Sequence, residues 1–267
     1  MKSFYSKIYK NFKHHQRLTS LHYGKDDNEY FLVSYPKSGN TWLRFLLANT
    51  LVPNDEKTTL LNIGEYVPDI HVPAQWKTIT NHQSLFNSLA YKFVKTHDPF
   101  SLYYRNKKVI YLVRDGRDVL TSYYHYLVTR KNGVSLSGLI EGDNTFGDWG
   151  GHVMSWENGK CKEKILIHYE DLLADPVHEL ERLCDFLEWQ PNHDVILRAV
   201  EKSSFQHLRS LEEKYGGLHS VTQSGGRKSA FFRKGETGDW KNLFSSKDLD
   251  TFWNRYGNVM AGLGYRK

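Results

Sequence analysis

The sequence predicts an α/β fold, a single domain with a central parallel sheet flanked by helices. Two observations carry this prediction. Short β-branched and aromatic runs end in polar loops that pass at once into helical patterns, at Glu29–Tyr35, Val109–Val113 and Lys164–Tyr169. Repetition of that unit builds a parallel sheet whose strands are joined by crossover helices. The second observation is size and composition. A chain of 267 residues, 39% hydrophobic and 25% charged, with seven Pro and no low-complexity tract, suits one globular domain and excludes disordered and fibrous architectures.

The elements follow in order. Residues 1–28 read as a basic arm, with Lys2, Lys7, Lys10, Lys13, Arg17 and Lys25 and no acid before Asp26. The arm lacks the apolar core of a secretory signal, and no stretch approaches the roughly 18 apolar residues of a membrane span. The domain is expected over 29–267. Glu29–Tyr35 is its first strand, closed by a Pro-Lys-Ser-Gly turn, and Thr41–Leu51 is a helix with Trp42, Leu43, Phe45, Leu46 and Leu47 turned to the sheet. A short run from Phe93 ends before Pro99. Val109–Val113 is a buried strand, followed by the loop Arg114–Asp118 and a helix through Tyr126. Lys164–Tyr169 is the next strand, and a helix over His178–Leu187 aligns Leu180, Leu183, Cys184 and Leu187 on one face. The Gly-rich stretches 129–151 and 214–230 read as irregular, as lids or substrate loops. In such sheets ligands bind at the carboxyl ends of the strands, where the polar loops converge.

Charge and cysteine usage narrow the chemistry. Thirty-six Lys and Arg against 30 Asp and Glu, a net charge of +6, favour an anionic ligand, nucleic acid or an acidic surface. Only Cys161 and Cys184 occur, without Cys-x-x-Cys or Cys/His ligand spacing, and the 13 histidines are scattered. A cytoplasmic protein with no metal site is expected. The segment Tyr35-Pro-Lys-Ser-Gly-Asn-Thr-Trp42 has the parts of a phosphate or sulfate cradle at a helix start: Gly39 for close backbone approach, unpaired N–H groups, two hydroxyls and the point charge of Lys37. It is not a Walker A loop, which requires its lysine after two glycines.

These segments resemble the cytosolic-type sulfotransferases, which move a sulfuryl group from 3′-phosphoadenosine-5′-phosphosulfate (PAPS) to an acceptor. PKSGNTW is similar to their 5′-phosphosulfate loop, with Asn40 in place of a threonine. Arg114-Asp-Gly-Arg-Asp-Val-Leu-Thr-Ser-Tyr-Tyr-His125 is similar to their 3′-phosphate motif, and Arg114 and Ser122 keep its eight-residue spacing. Arg233-Lys-Gly-Glu-Thr-Gly-Asp-Trp-Lys241 is similar to their C-terminal signature. The resemblance implies the sulfotransferase fold with its P-loop-like strand-loop-helix. It places Lys37, Ser38, Gly39, Asn40 and Thr41 at the 5′ end of the nucleotide and Arg114, Ser122, Arg233, Lys234 and Gly235 at the 3′-phosphate. Trp42 and Phe205 then flank the adenine, with Tyr169 and Ser203 nearby; Ser203 stands where the family more often has threonine. Arg117 reads instead as an ion-pair partner of Asp115 or Asp118.

Lys95-Thr-His97 resembles the family's catalytic segment. Sulfuryl transfer requires a base for the acceptor proton and positive charge for the leaving phosphate oxygen. His97 is therefore the expected base, with Lys37 and Lys95 on the bridging and leaving oxygens. Phe146–Trp156 is similar to the segment that crosses the acceptor pocket, which makes Trp149 and His152 expected acceptor contacts and Trp156 a core residue. The expected function is sulfuryl transfer from PAPS to a hydroxyl or amine of a small-molecule acceptor, with no nucleic acid, no membrane span and no metal. Sulfation of a glycan or glycolipid is an alternative, as is an ATP/Mg²⁺-dependent kinase. A single-stranded RNA-binding protein ranks last, because the aromatics fall on helices and strands that read as buried. Relatives dimerise through a KxxxTVxxxE segment, from which Lys241–Asp250 departs at Ser245, Ser246 and Asp250, so monomer and homodimer both stay open.

Overall fold

The computed structural model describes residues 23–53, 58–81, 84–215 and 232–267. Most of the basic arm, including Lys2 to Arg17, and most of the 214–230 loop lie outside the described residues. The sheet has four parallel strands, β1 (Glu29–Ser34), β2 (Lys92–Thr96), β3 (Lys108–Val113) and β4 (Glu163–His168), in the order β2-β1-β3-β4. Chain order reverses at β1, so the crevice above the carboxyl ends of β1 and β3 is the place where such sheets bind ligands.

Alternate residues of each strand face opposite layers, as the two-residue repeat of a strand dictates. Tyr30, Leu32, Ile110, Leu112, Ile165 and Ile167 pack under α1 (Asn40–Leu51), α8 (Tyr169–Ala174), α9 (Pro176–Phe186) and α10 (His193–Lys202). Phe31, Val33, Val109, Tyr111 and Val113 pack under α5 (Gly116–Val128), α6 (Leu136–Glu141), α7 (Trp149–Asn158) and α12 (Ser246–Gly262). Burial on both faces is why these strands read as continuous apolar runs. The remaining helices are α2 (Ile63–Tyr66), α3 (Pro73–Thr80), α4 (Leu85–Ser88) and α11 (Phe205–Tyr215). Among the described residues no helix is long and apolar enough to cross a membrane.

Three expectations change. The folded body begins before Glu29: the Tyr23 hydroxyl is buried and donates to the Lys92 carbonyl at 2.6 Å, while Glu29 accepts from the amides of Gly24 and Lys25 at 2.7 and 3.0 Å. The stretch 129–151 is not wholly irregular, because Leu136, Leu139 and Ile140 form a buried helical stripe, capped by Ser135 and ended at Gly142 with φ 86°. Tyr169 opens α8 rather than closing β4.

Candidate active site

The loop after β1 is built to hold an anion. Lys37 and Gly39 both take positive φ, 71° and 99°, which folds the backbone back over the start of α1. A Cβ on Gly39 would stand 2.5 Å from the Tyr169 ring, so only glycine lets loop and ring approach. The first turn of α1 has no acidic residue and no side-chain cap, which leaves its amides to the cleft. Ser38 Oγ and Asn40 Oδ1 are buried without hydrogen-bond partners, and the Asn40 amide donates to Ser34 Oγ at 3.1 Å. Burial, then the like charges of Arg130, Arg114 and Arg233, push the Lys37 ammonium down to about 7. A site that crowds cations around a desolvated lysine fits a phosphosulfate or another polyanion.

The second group of anion-accepting residues adjoins the first, with Arg114 Nη1 3.5 Å from the Lys37 carbonyl. Arg114 leaves β3, donates Nη2 to the Glu236 carbonyl at 2.7 Å, and stacks 4.2 Å from the centre of the Tyr169 ring. Its Nε is buried without a partner. Asp118 accepts from the amides of Gly238 and Trp240 at 2.7 and 3.0 Å, which straps the 233–240 segment onto α5. Arg233 and Lys234 pair with Asp239, holding its carboxyl below the usual range, and together with Gly235 they line the cleft opposite Ser122. Phe205 packs on Gly235, where a Cβ would fall 2.5 Å from its ring. Trp42 meets the Tyr169 ring edge-on at 5.7 Å, and both line the same cleft. Arg117 is turned away, pairing with Asp115 at 2.7 Å beneath Trp240, as its mixed-charge loop suggested.

The third group of residues sits at the end of β2. His97 Nδ1 lies 2.6 Å from the Ser34 carbonyl, which can only accept; Nδ1 therefore carries the proton and Nε2 the lone pair. Burial, then the Lys95 charge, hold the imidazole well below its ordinary value, so it is neutral at pH 7. Lys95 Nζ donates to Asp69 Oδ2 at 2.7 Å. His71 stacks on His97 at 6.1 Å, its Nε2 accepts the His97 amide at 3.1 Å, and Phe146 stands edge-on to both rings. Tyr35 donates its hydroxyl to the Gly147 carbonyl at 2.7 Å, tying the Phe146 loop to the end of β1. One cleft of about 560 Å³ is lined by residues of all three groups, among them Lys37, Arg114, Ser122, Lys95 and His97.

Some expected site residues lie elsewhere. Trp149 has no exposed surface and packs on Gly116, Phe252 and Tyr256, so it fills the core rather than touching an acceptor. His152 is likewise enclosed, between Tyr111 and Tyr35, and burial pushes it down to about 4. Ser203 is buried and accepts from the Asn49 amide at 3.0 Å; it supports α1 from behind and does not line the cleft. Ser38 also does not line it, but points its unpaired hydroxyl inside the loop. Sequence reasoning missed Asp69, His71, Gln75 and Arg44, which line the cleft beside Lys95. No motif marks them. Among the described residues no group of three or more His, Cys, Asp and Glu is arranged to hold a metal.

The sulfotransferase-domain model matches residues 27–264. Sulfotransferase 1B1 of Canis lupus familiaris is 30% identical over 97% of this chain and 91% of its own length. Sulfotransferase 1B1 of Mus musculus is 31% identical over 86% and 82%, and flavonol 3-sulfotransferase of Flaveria bidentis 29% identical over 84% and 78%. Among solved structures, retinol dehydratase in complex with retinol and PAP superposes with a TM-score of 0.71 at 19% identity, covering 96% of this chain and 88% of that one. A mouse sulfotransferase complexed with PAP gives 0.67 at 24% identity, over 93% and 92%. The two superpositions show a shared fold.

Proposed function

This chain belongs to the sulfotransferase-domain family and is a PAPS-dependent sulfotransferase, and we propose that it sulfates a hydroxyl or amine of a small-molecule acceptor with His97 as general base. When bound, PAPS supplies the sulfuryl group and departs as adenosine 3′,5′-bisphosphate. The observation that carries the reading is the placement of a neutral His97, lone pair on Nε2, in one cleft with the anion-accepting residues of the Lys37 loop, Arg114 and the Arg233–Gly235 turn. The 5′ end of the donor falls to Lys37, the loop amides and the Thr41 hydroxyl. Its 3′-phosphate falls to Arg114, Ser122 and the Arg233–Gly235 turn, with Trp42, Tyr169 and Phe205 as apolar surfaces for the base.

His97 Nε2 takes the acceptor's proton as the acceptor–sulfur bond forms. The bond from sulfur to the 5′-phosphate breaks, and its electron pair moves onto a phosphate oxygen that Lys37 and Lys95 neutralise. The aromatic lining around His97, beside a Lys95 already paired with Asp69, suits an uncharged small molecule better than an extended acidic glycan. The two unpaired cysteines accord with a reducing, cytoplasmic setting.

Thermal unfolding with adenosine 3′,5′-bisphosphate, AMP, and ATP with Mg²⁺ tests the donor site. A ligand at 100 times its dissociation constant adds about 2.7 kcal/mol of stability. Stabilisation by the bisphosphate above the other two is expected, followed by transfer from PAPS to members of a phenol, alcohol and amine panel. Equal stabilisation by AMP would remove the 3′-phosphate pocket, and transfer only to glycans would overturn the acceptor class.

A further inference from the structure

Resting on the assignment of Lys95 to the leaving oxygen, we propose that Asp69 is a positioning residue that holds the Lys95 ammonium charged and fixed beside His97. The pairing is made by the backbone before the side chains meet. Pro68 to Ile70 lies along the end of β2 as a single parallel bridge, with the Lys95 amide donating to the Pro68 carbonyl at 2.8 Å and the Ile70 amide to the Lys95 carbonyl at 3.1 Å. That bridge sets Asp69 and Lys95 side by side in the wall of the cleft.

The carboxylate is then aimed. Its Oδ1 accepts the His71 amide at 2.8 Å, and its own amide donates to Gln75 Oε1 at 2.8 Å. The second oxygen is thereby turned to Lys95 Nζ at 2.7 Å. Both side chains are nearly enclosed, and a buried ammonium without a counter-charge gives up its proton. The groups facing Lys95 from the neighbouring elements are Asp69, Asp98 and His97, with Arg44 opposing them from α1. Of these, only Asp69 bonds it. Burial already brings Lys95 down to about 8 with that partner in place, so the partner decides whether the lysine is charged at neutral pH. A chain that needed only packing here would be served as well by two apolar side chains.

Asp69→Asn isolates the charge, since the amide oxygen can still accept from His71 while the amide nitrogen faces Lys95. Lys95 is followed through its Cε methylene by NMR titration, and turnover is measured with PAPS and 2-naphthol as probe acceptor. In Asp69→Asn the Lys95 titration falls by about one pH unit or more, kcat at pH 7.5 falls about tenfold, and its alkaline limb moves to lower pH. Affinity for adenosine 3′,5′-bisphosphate stays within about twofold. In a Lys95→Met background, Asp69→Asn costs less than about threefold further. A Lys95 titration unmoved by Asp69→Asn overturns the inference and leaves the reading of Lys95 intact. Wild-type turnover by Lys95→Met overturns that reading and the inference with it. If Asp69→Asn does not fold, Asp69→Glu is used: Lys95 titrating above pH 7 supports the role of the charge, and titration below pH 7 overturns it.

Discussion

Lys37 and Lys95 line one cleft, and the fold treats them in opposite ways. Around Lys37 stand Arg130, Arg114 and Arg233, the first turn of α1 carries no acid, and the ammonium is pushed down to about 7. Lys95 has its own carboxylate at 2.7 Å. The first environment is dominated by like charges, with Glu212 opposing them, whereas the second has a carboxylate in direct contact. On the proposed function, the contrast separates a donor end rich in positive charge from an acceptor end whose proposed base, His97, is neutral. A polyanion is drawn to one side of the cleft, and an uncharged acceptor loses little solvation on the other.

The largest test of this division is His97→Ala, expected to lower kcat by about a thousandfold while calorimetry shows affinity for adenosine 3′,5′-bisphosphate within about twofold of wild type. Near-normal turnover would remove the base from the acceptor end. Because His97 is held well below its ordinary value, the acid limb of kcat/KM in the wild type should lie well under pH 6.5. Arg114→Ala breaks the donor end instead, weakening bisphosphate binding by about 2 kcal/mol, roughly thirtyfold, with little change in kcat at saturation. Unchanged affinity would take Arg114 out of the 3′ pocket.

A subtler test uses the depressed Lys37. An anion beside it raises its affinity for a proton, so binding above pH 7 takes a proton up, and affinity falls with rising pH by at most about tenfold per unit. Calorimetry in two buffers of different ionisation enthalpy should show that uptake, and Lys37→Met should abolish it; uptake that survives would place the proton on another group. The smallest effect belongs to Ser203→Ala. It leaves bisphosphate affinity unchanged and costs about 1 kcal/mol of stability, because the Asn49 amide loses its acceptor. A large loss of affinity there would return Ser203 to the cleft.

Residues whose chemistry is concentrated in a few consecutive positions were legible. The Pro36–Trp42 loop, the Arg114–Ser122 spacing and Lys95-Thr-His97 all reach the cleft, because each lies at or just beyond the end of a strand that points there. Strands buried on both faces announce themselves as apolar runs, but α6 was hidden by its glycines, and α2 and α4 are four residues each, too short to show a helical period. A motif also locates a residue without saying which way it points. Trp149 and Ser203 sit in segments adjoining the site with their side chains directed into the core. Asp69 was invisible for a different reason. Its meeting with Lys95, 26 residues on, depends on one bridge between an irregular segment and a strand end, which leaves no periodic trace.

The strap from Asp118 to Gly238 and Trp240 has a consequence for how the protein is made. Once synthesis has passed His168, all four strands are available to pair. The proposed 3′ end of the nucleotide pocket, however, waits for residues 233–240, joined across some 120 positions to α5 by Asp118 and to the loop before it by the bond from Arg114 to Glu236. Contacts of such long range form late, after the loop-closure entropy has been overcome. On the proposed reading, a nucleotide would meet its full set of partners only on a finished chain. A chain cut short before Arg233 would lose α12, which covers one face of the sheet, together with the Arg233–Gly235 contacts.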